Sequence, residues 1–501
     1  MFTKIMHGGL RIMNRSSVVR SLFLVFALTL LAGCGGGGSS STPSPLSADN
    51  INLIFVVTPD LANDPLGDIN PATANLNNQG LQRSLLLATY LKQQVLGSKN
   101  VNNISALEPM THLQTVNNYP DMAAIGFIQQ FALLNQYTFI GTTANSFPIH
   151  TSYGPGSVPV GVFDPKTYPA NCRGLAFDDA SGDNIALVTD IISAKVPGFY
   201  VFSVPWETTS DLLTNIKRTK GYNLNLPTTY MGSNYVYAIS ITPSGNADLV
   251  TYNSNLNPPA TYPVLPSPVA SASCTQQNYF TLSRTGGTNG AVIPANINTN
   301  ETVYMIRHAE AHPVSGWDDG NYIGAGQWRA LALPNFLPGA LRGLSSPTGV
   351  YSIDPAQSFN FFDNTVGLSY VRPSLTVLPY AIANNLPYNL AASFSINMNP
   401  NDDVAAENTV AFFFTHSNSS GVNLSNQTVL LAWEHAHFPP LITKLLQSYG
   451  GTEPPPTLTW PSSDYDTIWT VKLDAKGNLT VDNALCEGID SAKLPATAPQ
   501  F

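Results

Sequence analysis

An arginine and a histidine stand together at the end of a short apolar run. The run is Val303-Tyr304-Met305-Ile306, and it opens into Arg307-His308-Ala309-Glu310. A second apolar run, Thr428 to Trp433, ends in Glu434-His435-Ala436-His437. Between them, Ser369-Tyr370-Val371-Arg372-Pro373 leads into an amphipathic stretch. Pro373 suits the first helical position, so Arg372 is placed just ahead of a helix N-terminus, an end that favours anions. Taken singly, each of these residues is more often structural than catalytic. Two histidines at neighbouring strand ends, with two arginines, can enclose one phosphoryl group. One imidazole can attack phosphorus and become phosphohistidine. The arginines and the other imidazole can hold the oxygens on which negative charge collects.

The elements behind these residues must deliver them to one place. Each half of the chain opens with an apolar strand, Leu53–Val57 and Val303–Ile306, then a polar loop and a helix, Asn78–Leu96 and Gly326–Leu337. In the second half the pattern predicts a short strand, Val350–Ile353, a helix, Pro373–Asn385, and two apolar strands, Thr409–Thr415 and Thr428–Trp433. A helix, Pro440–Tyr449, and a hairpin of Tyr465–Leu473 with Gly477–Val481, expected as an antiparallel edge, complete it. Strands alternating with helices place ligands at the carboxyl ends of a mostly parallel sheet.

Three segments also repeat in the same order. Asn78 to Leu91 lies over Gly324 to Leu337 without a gap, matching Gly80 to Gly326 and Arg83 to Arg329. Val201 to Leu213 echoes Val429 to Leu441, and Gly232 to Asn246 lies over Ser463 to Asn478. Ordered repeats argue for tandem units. The fold expected is therefore α/β: two tandem three-layer α/β/α domains with mostly parallel sheets, over residues 48–258 and 298–495. Residues 259–297, rich in Pro, Ser, Gly and Asn, read as a linker.

The second half resembles the histidine phosphatase superfamily, the phosphoglycerate mutase-like phosphatases. The resemblance rests on Arg307-His308-Ala309-Glu310, the Gly326…Arg329-Ala330 helix start, Arg372 ahead of its helix, and Trp433-Glu434-His435…Pro439. It implies that His308 is the nucleophile, that Arg307 and Arg372 clamp phosphate, and that His435 stabilises the transferring group. It further implies a small-molecule phosphomonoester substrate and no metal or cofactor. In acid-phosphatase-like members an acidic residue follows the second histidine, whereas Ala436 stands there in this chain. Glu310, Glu434 and the pairs Asp318-Asp319 and Asp402-Asp403 are the candidates for general acid. Arg329 and Arg342 are expected to pair structurally.

In the first half, Arg307-His308 falls over Val57-Thr58, or over Thr58-Pro59 if the register slips by one, Arg372-Pro373 over Tyr119-Pro120, and Glu434-His435 over Trp206-Glu207. That half reads as a non-catalytic copy, with His112 and His150 in solvated loops. Two other readings compete with a phosphatase. The pairs His308/His312 and His435/His437 could ligate zinc in a metal-dependent hydrolase, although Arg307 would repel the cation and the order is not HExxH. The chain could also be a surface-binding lipoprotein that keeps the fold without the chemistry.

The 501 residues carry a formal charge of −9, and only 11% are Asp, Glu, Lys or Arg. Such a surface argues against nucleic acid, so an anion must be held by a local arginine cluster. The leader, residues 1–33, holds Lys4, Arg11, Arg15 and Arg20 ahead of the apolar Ser21 to Ala32. It ends in Leu31-Ala32-Gly33-Cys34, which looks like a bacterial lipobox with Cys34 as the lipidated residue. Gly35 to Pro45 opens a flexible tether, residues 34–47. By resemblance, Gly35 after the cysteine favours the outer membrane of a Gram-negative cell envelope. Cys172, Cys274 and Cys486 then permit one disulfide or none.

Overall fold

The computed structural model describes residues 43–63, 67–139, 141–154, 172–179, 181–274, 279–312, 319–361, 366–391, 403–418 and 422–501. Cys34, the leader, most of the tether, Asp318 and Asp402 lie outside the described residues.

Two mixed sheets organise the chain. The first is built from β1 (Ile51–Val57), β2 (Asn103–Ala106), β3 (Gly198–Val204), β4 (Tyr235–Ile241) and β5 (Ala247–Asn253), in the order β2-β3-β1-β4-β5. The second uses β6 (Thr281–Arg284), β7 (Glu301–Arg307), β8 (Gly349–Ile353), β9 (Tyr388–Ala391), β10 (Thr428–Trp433), β11 (Thr467–Leu473) and β12 (Leu479–Cys486). Its order is β6-β12-β11-β7-β10-β8-β9. Five consecutive strands of each sheet follow one plan. β8-β10-β7-β11-β12 repeats β2-β3-β1-β4-β5, with two parallel pairings followed by two antiparallel ones.

The sheets are thus mixed, which corrects the mostly parallel expectation. The late hairpin in each half pairs antiparallel across its tight turn, and its first strand also runs antiparallel to the central strand. In the second sheet β6 adds a further antiparallel edge and β9 a parallel one. The segment 259–297 is therefore more than a linker, because β6 lies inside it. It is also held covalently, by a disulfide between Cys274 and Cys486 with Cα atoms 5.4 Å apart. Cys172 is buried and outside that bond. The tether ends earlier than 47: the Leu46 N–H donates to the Val95 carbonyl at 2.9 Å, and the Ser44 carbonyl accepts from Tyr252.

The helices are α1 (Asn78–Tyr90), α2 (Ala123–Leu133), α3 (Asp183–Ala194), α4 (Trp206–Lys220), α5 (Gly324–Ala340), α6 (Arg372–Ala383), α7 (Asp403–Phe414) and α8 (Phe438–Ser448). Alternation along β7 shows how they cover the second sheet. Val303 and Met305 join an apolar cluster with Phe412, Phe413 and Phe414 of α7 and Leu441 and Leu445 of α8. Tyr304 and Ile306 face the opposite cluster, with Leu331 and Leu333 of α5 and Leu375 and Leu378 of α6. That second cluster continues into α1, α2 and the first sheet, so one core runs through both halves. The halves pack tightly at Gly126 of α2, where an added Cβ would stand 2.7 Å from the Leu378 side chain.

The stretch expected as a strand at Thr409–Thr415 is the end of α7 instead. A short apolar run buried on every side has no period by which strand and helix can be told apart. The Thr415 hydroxyl donates to the Ala411 carbonyl four residues back at 2.7 Å, a helical contact.

Candidate active site

β7 and β10 run side by side and parallel, with Arg307 opposite Trp433. Both chains therefore leave the sheet at one edge, and His308 does so with its N–H donating to the Trp433 carbonyl at 2.9 Å. The His308 ring is buried, 1% exposed. Its Nδ1 lies 2.8 Å from the Ala309 carbonyl. A carbonyl only accepts, so Nδ1 holds the proton and Nε2 keeps its lone pair. Nε2 is buried without a hydrogen-bond partner.

Two tyrosines flank this ring edge-on, Tyr370 and Tyr465, with centroids 6.2 and 6.1 Å away. Each carries an arginine on its face. The Arg307 Cζ is 3.9 Å from the centre of Tyr465, and the Arg372 Cζ is 4.5 Å from the centre of Tyr370. Such stacking orients a guanidinium without consuming its N–H groups. Arg307 donates through Nη1 to the Ser462 and Asp464 carbonyls at 2.5 and 3.3 Å, and its buried Nε has no partner. Arg372 donates through Nη2 to the Tyr370 hydroxyl at 3.0 Å. It is the first residue of α6 rather than the one before it, with Val371 as the cap. Burial first, then the charges of Arg372 and Arg307, hold His308 well below its ordinary imidazole value. The ring is therefore neutral, as a nucleophile must be.

Glu434 and His435 follow β10 directly. The Glu434 Oε1 sits against Nδ1 of His435. Its Oε2 accepts from the Ala436 N–H at 2.9 Å and lies 3.2 Å from His437 Nδ1. Burial would raise this carboxyl, but the hydrogen bonds from His435 and His437 outweigh it and hold the group well below its ordinary value. Glu434 is thus an ionised seat for His435, poorly suited to give up a proton. Its charge is near enough to oppose the depression of both His308 and Arg307. His437 stacks on Trp433 with ring centres 4.8 Å apart.

Glu310 is engaged elsewhere. Both its oxygens accept from Arg329 Nε, at 2.9 and 3.0 Å, and Ser491 donates to Oε1 at 2.8 Å. Arg329 is fully buried and also reaches Glu487 at 2.5 Å and Asp466 at 3.7 Å. The arrangement removes Glu310 from the proton donors and gives Arg329 the structural role expected of it. Asp319 is fully buried, 2.9 Å from His312 Nε2 and accepting from Ser146 at 2.7 Å. Arg342 is exposed. Asp318 and Asp402 lie outside the described residues, and the side chain of Asp403 does too.

Several participants carried no local signal in the sequence. Tyr465 precedes β11, and only tertiary folding brings it to Arg307. The segment Ser146–Tyr153 reaches over from the first half. There the Thr151 N–H donates to Ser369 Oγ at 2.9 Å, Ser152 Oγ meets the same atom at 2.7 Å, and the Tyr153 hydroxyl donates to Asp354 at 2.5 Å. Ser369 begins the Ser-Tyr-Val-Arg run that ends in Arg372, so the first half braces that arginine's segment.

The matching place in the first half follows β1. The Thr58 N–H donates to the Val204 carbonyl at 3.0 Å, as that of His308 does to Trp433. By strand register Pro205 and Trp206 stand where Glu434 and His435 stand, one residue earlier than sequence alignment suggests. Arg83 reaches back to Asp68 at 2.5 Å, as Arg329 does to Glu310. His150 is not solvated, and His112 is partly buried. His150 is buried, and burial pushes it down to about 4. His112 lies 2.9 Å from Asp121 and 3.4 Å from Asp60. The chain matches no protein-family model and no curated protein.

Proposed function

We propose that the protein hydrolyses phosphomonoesters through a phosphohistidine on His308, as the histidine phosphatase superfamily does. The observation that carries this reading is a buried, neutral imidazole with an unpaired Nε2, set between two tyrosine-borne guanidinium groups at a sheet edge. Buried polar atoms without partners are rare in folded proteins and invite a polar ligand. In the proposed reaction Nε2 of His308 attacks phosphorus and the ester oxygen leaves. Arg307 and Arg372 hold the oxygens that gain charge, and His435, seated on Glu434, completes the enclosure. Water then attacks phosphorus, releasing inorganic phosphate and restoring His308. The first half is proposed to be a non-catalytic tandem copy, a reading supported by the common strand order and the paired Arg83 and Arg329 contacts. The metal-hydrolase alternative is weakened because each of the four imidazoles already meets an oxygen of the chain, His308 the Ala309 carbonyl, His312 Asp319, and His435 and His437 the two oxygens of Glu434.

Hydrolysis of a panel of phosphomonoesters, with and without chelator and vanadate, tests the class. Turnover lost in chelator and restored by zinc, in the parent and equally in Asp60→Asn, would sink it. Glu434→Gln refines the roles. If Glu434 only orients His435, the substitution should lower turnover on the order of 10²-fold, the loss typical of a disturbed preorganised donor. The loss should be equal for aryl and alkyl esters. A much larger loss on alkyl esters, whose leaving group needs a proton, would make Glu434 the general acid instead.

The export reading belongs to the same proposal: lipidation at Cys34 would hold the protein at the cell envelope. Cys34→Ser should then shift it out of the membrane fraction or leave it unprocessed. Identical fractionation of the two forms would refute a lipid anchor.

A further inference from the structure

At the carboxyl edge of the first sheet, His112, Asp60 and Asp121 converge from separate segments. Asp60 is 1% exposed and Asp121 fully buried. His112 Nδ1 stands 2.9 Å from Asp121 Oδ2 and 3.4 Å from Asp60 Oδ2, and the three donor atoms all lie within 4.8 Å of one another. Among the described residues this is the one group of three so arranged. A cation bound at about 2.0–2.2 Å from each donor would space them roughly 3–3.6 Å apart, so two of the spacings are already close to those of a filled site.

Independent signs point to a missing ligand. Asp60 Oδ2, buried and aimed at the imidazole, accepts no hydrogen bond, although Oδ1 accepts from the Ala62 N–H at 2.7 Å. Glu207, at the start of α4, has Oε1 occupied by Asn63 and a buried Oε2 with no partner. Thr58 Oγ1, on the residue that matches His308, is also buried and unpartnered. The His112 ring is fixed flat against Phe177, with centres 3.8 Å apart, so its Nδ1 cannot swing away cheaply.

The two halves differ in the sign of what they present. In the second half the end of the central strand, the first residue of α6 and the segment after the neighbouring strand supply Arg307, Arg372 and His435. In the first half the corresponding edge carries acids at offset positions: Asp60 two residues past Thr58, Asp121 just ahead of α2, and Glu207 one residue past the register match of His435. We propose that the first half carries a divalent cation site formed by Asp60, His112 and Asp121, with Glu207 close by, at the position where the second half would hold a phosphoryl group. One imidazole with carboxylates favours zinc or another first-row divalent ion over calcium or magnesium, which prefer oxygen alone.

The site is independent of phosphatase chemistry and is read by binding. The full chain, stripped of metal, is titrated with zinc chloride in a calorimeter. One saturable equivalent is expected, with a rise in melting temperature at saturation. Changes around a metal typically cost about 10–100-fold in affinity even when they spare the ligands, so Asp60→Asn and His112→Ala should each weaken zinc by more than about tenfold. His435→Ala with His437→Ala should keep the equivalent, which separates it from the histidines of the second half. No saturable equivalent in the parent, or one that survives Asp60→Asn, would overturn the site. Anomalous scattering from crystals of the parent grown with zinc needs no variant. A peak among Asp60, His112 and Asp121 supports the site, and peaks only elsewhere reject it.

Discussion

Replacing His308 with alanine should abolish the phosphoenzyme and lower turnover by more than the roughly 10²–10³-fold that loss of one preorganised donor costs. On the proposed mechanism Arg307, Arg372 and His435 would only stabilise charge, whereas His308 would make the bond to phosphorus, leaving no other path of similar barrier without it. Rapid quench with labelled substrate should trap an acid-labile, base-stable phosphoenzyme in the parent and none in His308→Ala. A phosphoenzyme that persists in the variant would place the nucleophile elsewhere. The pH profile gives a second readout. His308 is held well below its ordinary value by burial, then by Arg372 and Arg307. Its neutral form therefore persists below pH 6.5, and protonation of His308 should not limit the free enzyme until more acid conditions. Removing one of the two cations lets the imidazole rise. Arg372→Gln should therefore move the acid limb of kcat/KM to higher pH, besides lowering the rate. A limb that stays in place would mean that His308 is not the group titrating.

Arg329→Met should be the most damaging change to stability. Arg329 is fully buried and is the shared partner of Glu310 and Glu487, with Asp466 further off. Removing one partner of a buried ion pair typically costs about 3–5 kcal/mol, because the remaining charge is left uncompensated. The cluster also ties α5 to the segment after β12, through Arg329 donating to Ser491 at 2.7 Å. Urea or thermal unfolding measures the loss, and Arg329→Met combined with Glu310→Gln should recover part of it by removing the stranded carboxylate. A variant as stable as the parent would show the cluster to be dispensable. Glu487 adds a pH dependence. Burial pushes it up to about 8 against the pull of Arg329. Its folded value thus exceeds the unfolded one, near 4.3, and the native state binds more protons. This contribution to stability should be full in acid and fall away as pH rises through that window.

Much of this was legible locally. The apolar runs of β7 and β10 end where their hydrophobicity ends, so Arg307, His308, Glu434 and His435 were already assigned to strand tips. Pro373 marked the start of α6 to within a residue, whereas the repeats carried no information on strand order, which the packed sheets share over five strands each. The strand tips and that helix start depend on residues within a turn or a strand of one another. Contacts over longer separations are set by which segments the packed core brings together. Glu310, Glu434 and Asp319 are equally plausible acids on paper. Folding gives the first to Arg329, the second to His435 and His437, and the third to His312 and Ser146. The same holds for the Cys274–Cys486 bond, 212 residues apart, and for Ser152 against Ser369. The α7 error has a different origin, since burial on all sides erases the period by which sequence separates helix from strand. Residue type and spacing therefore determined what chemistry the strand ends could offer. Tertiary packing decided which of those groups were taken up by other side chains, because a buried polar group pairs with whatever the fold sets beside it.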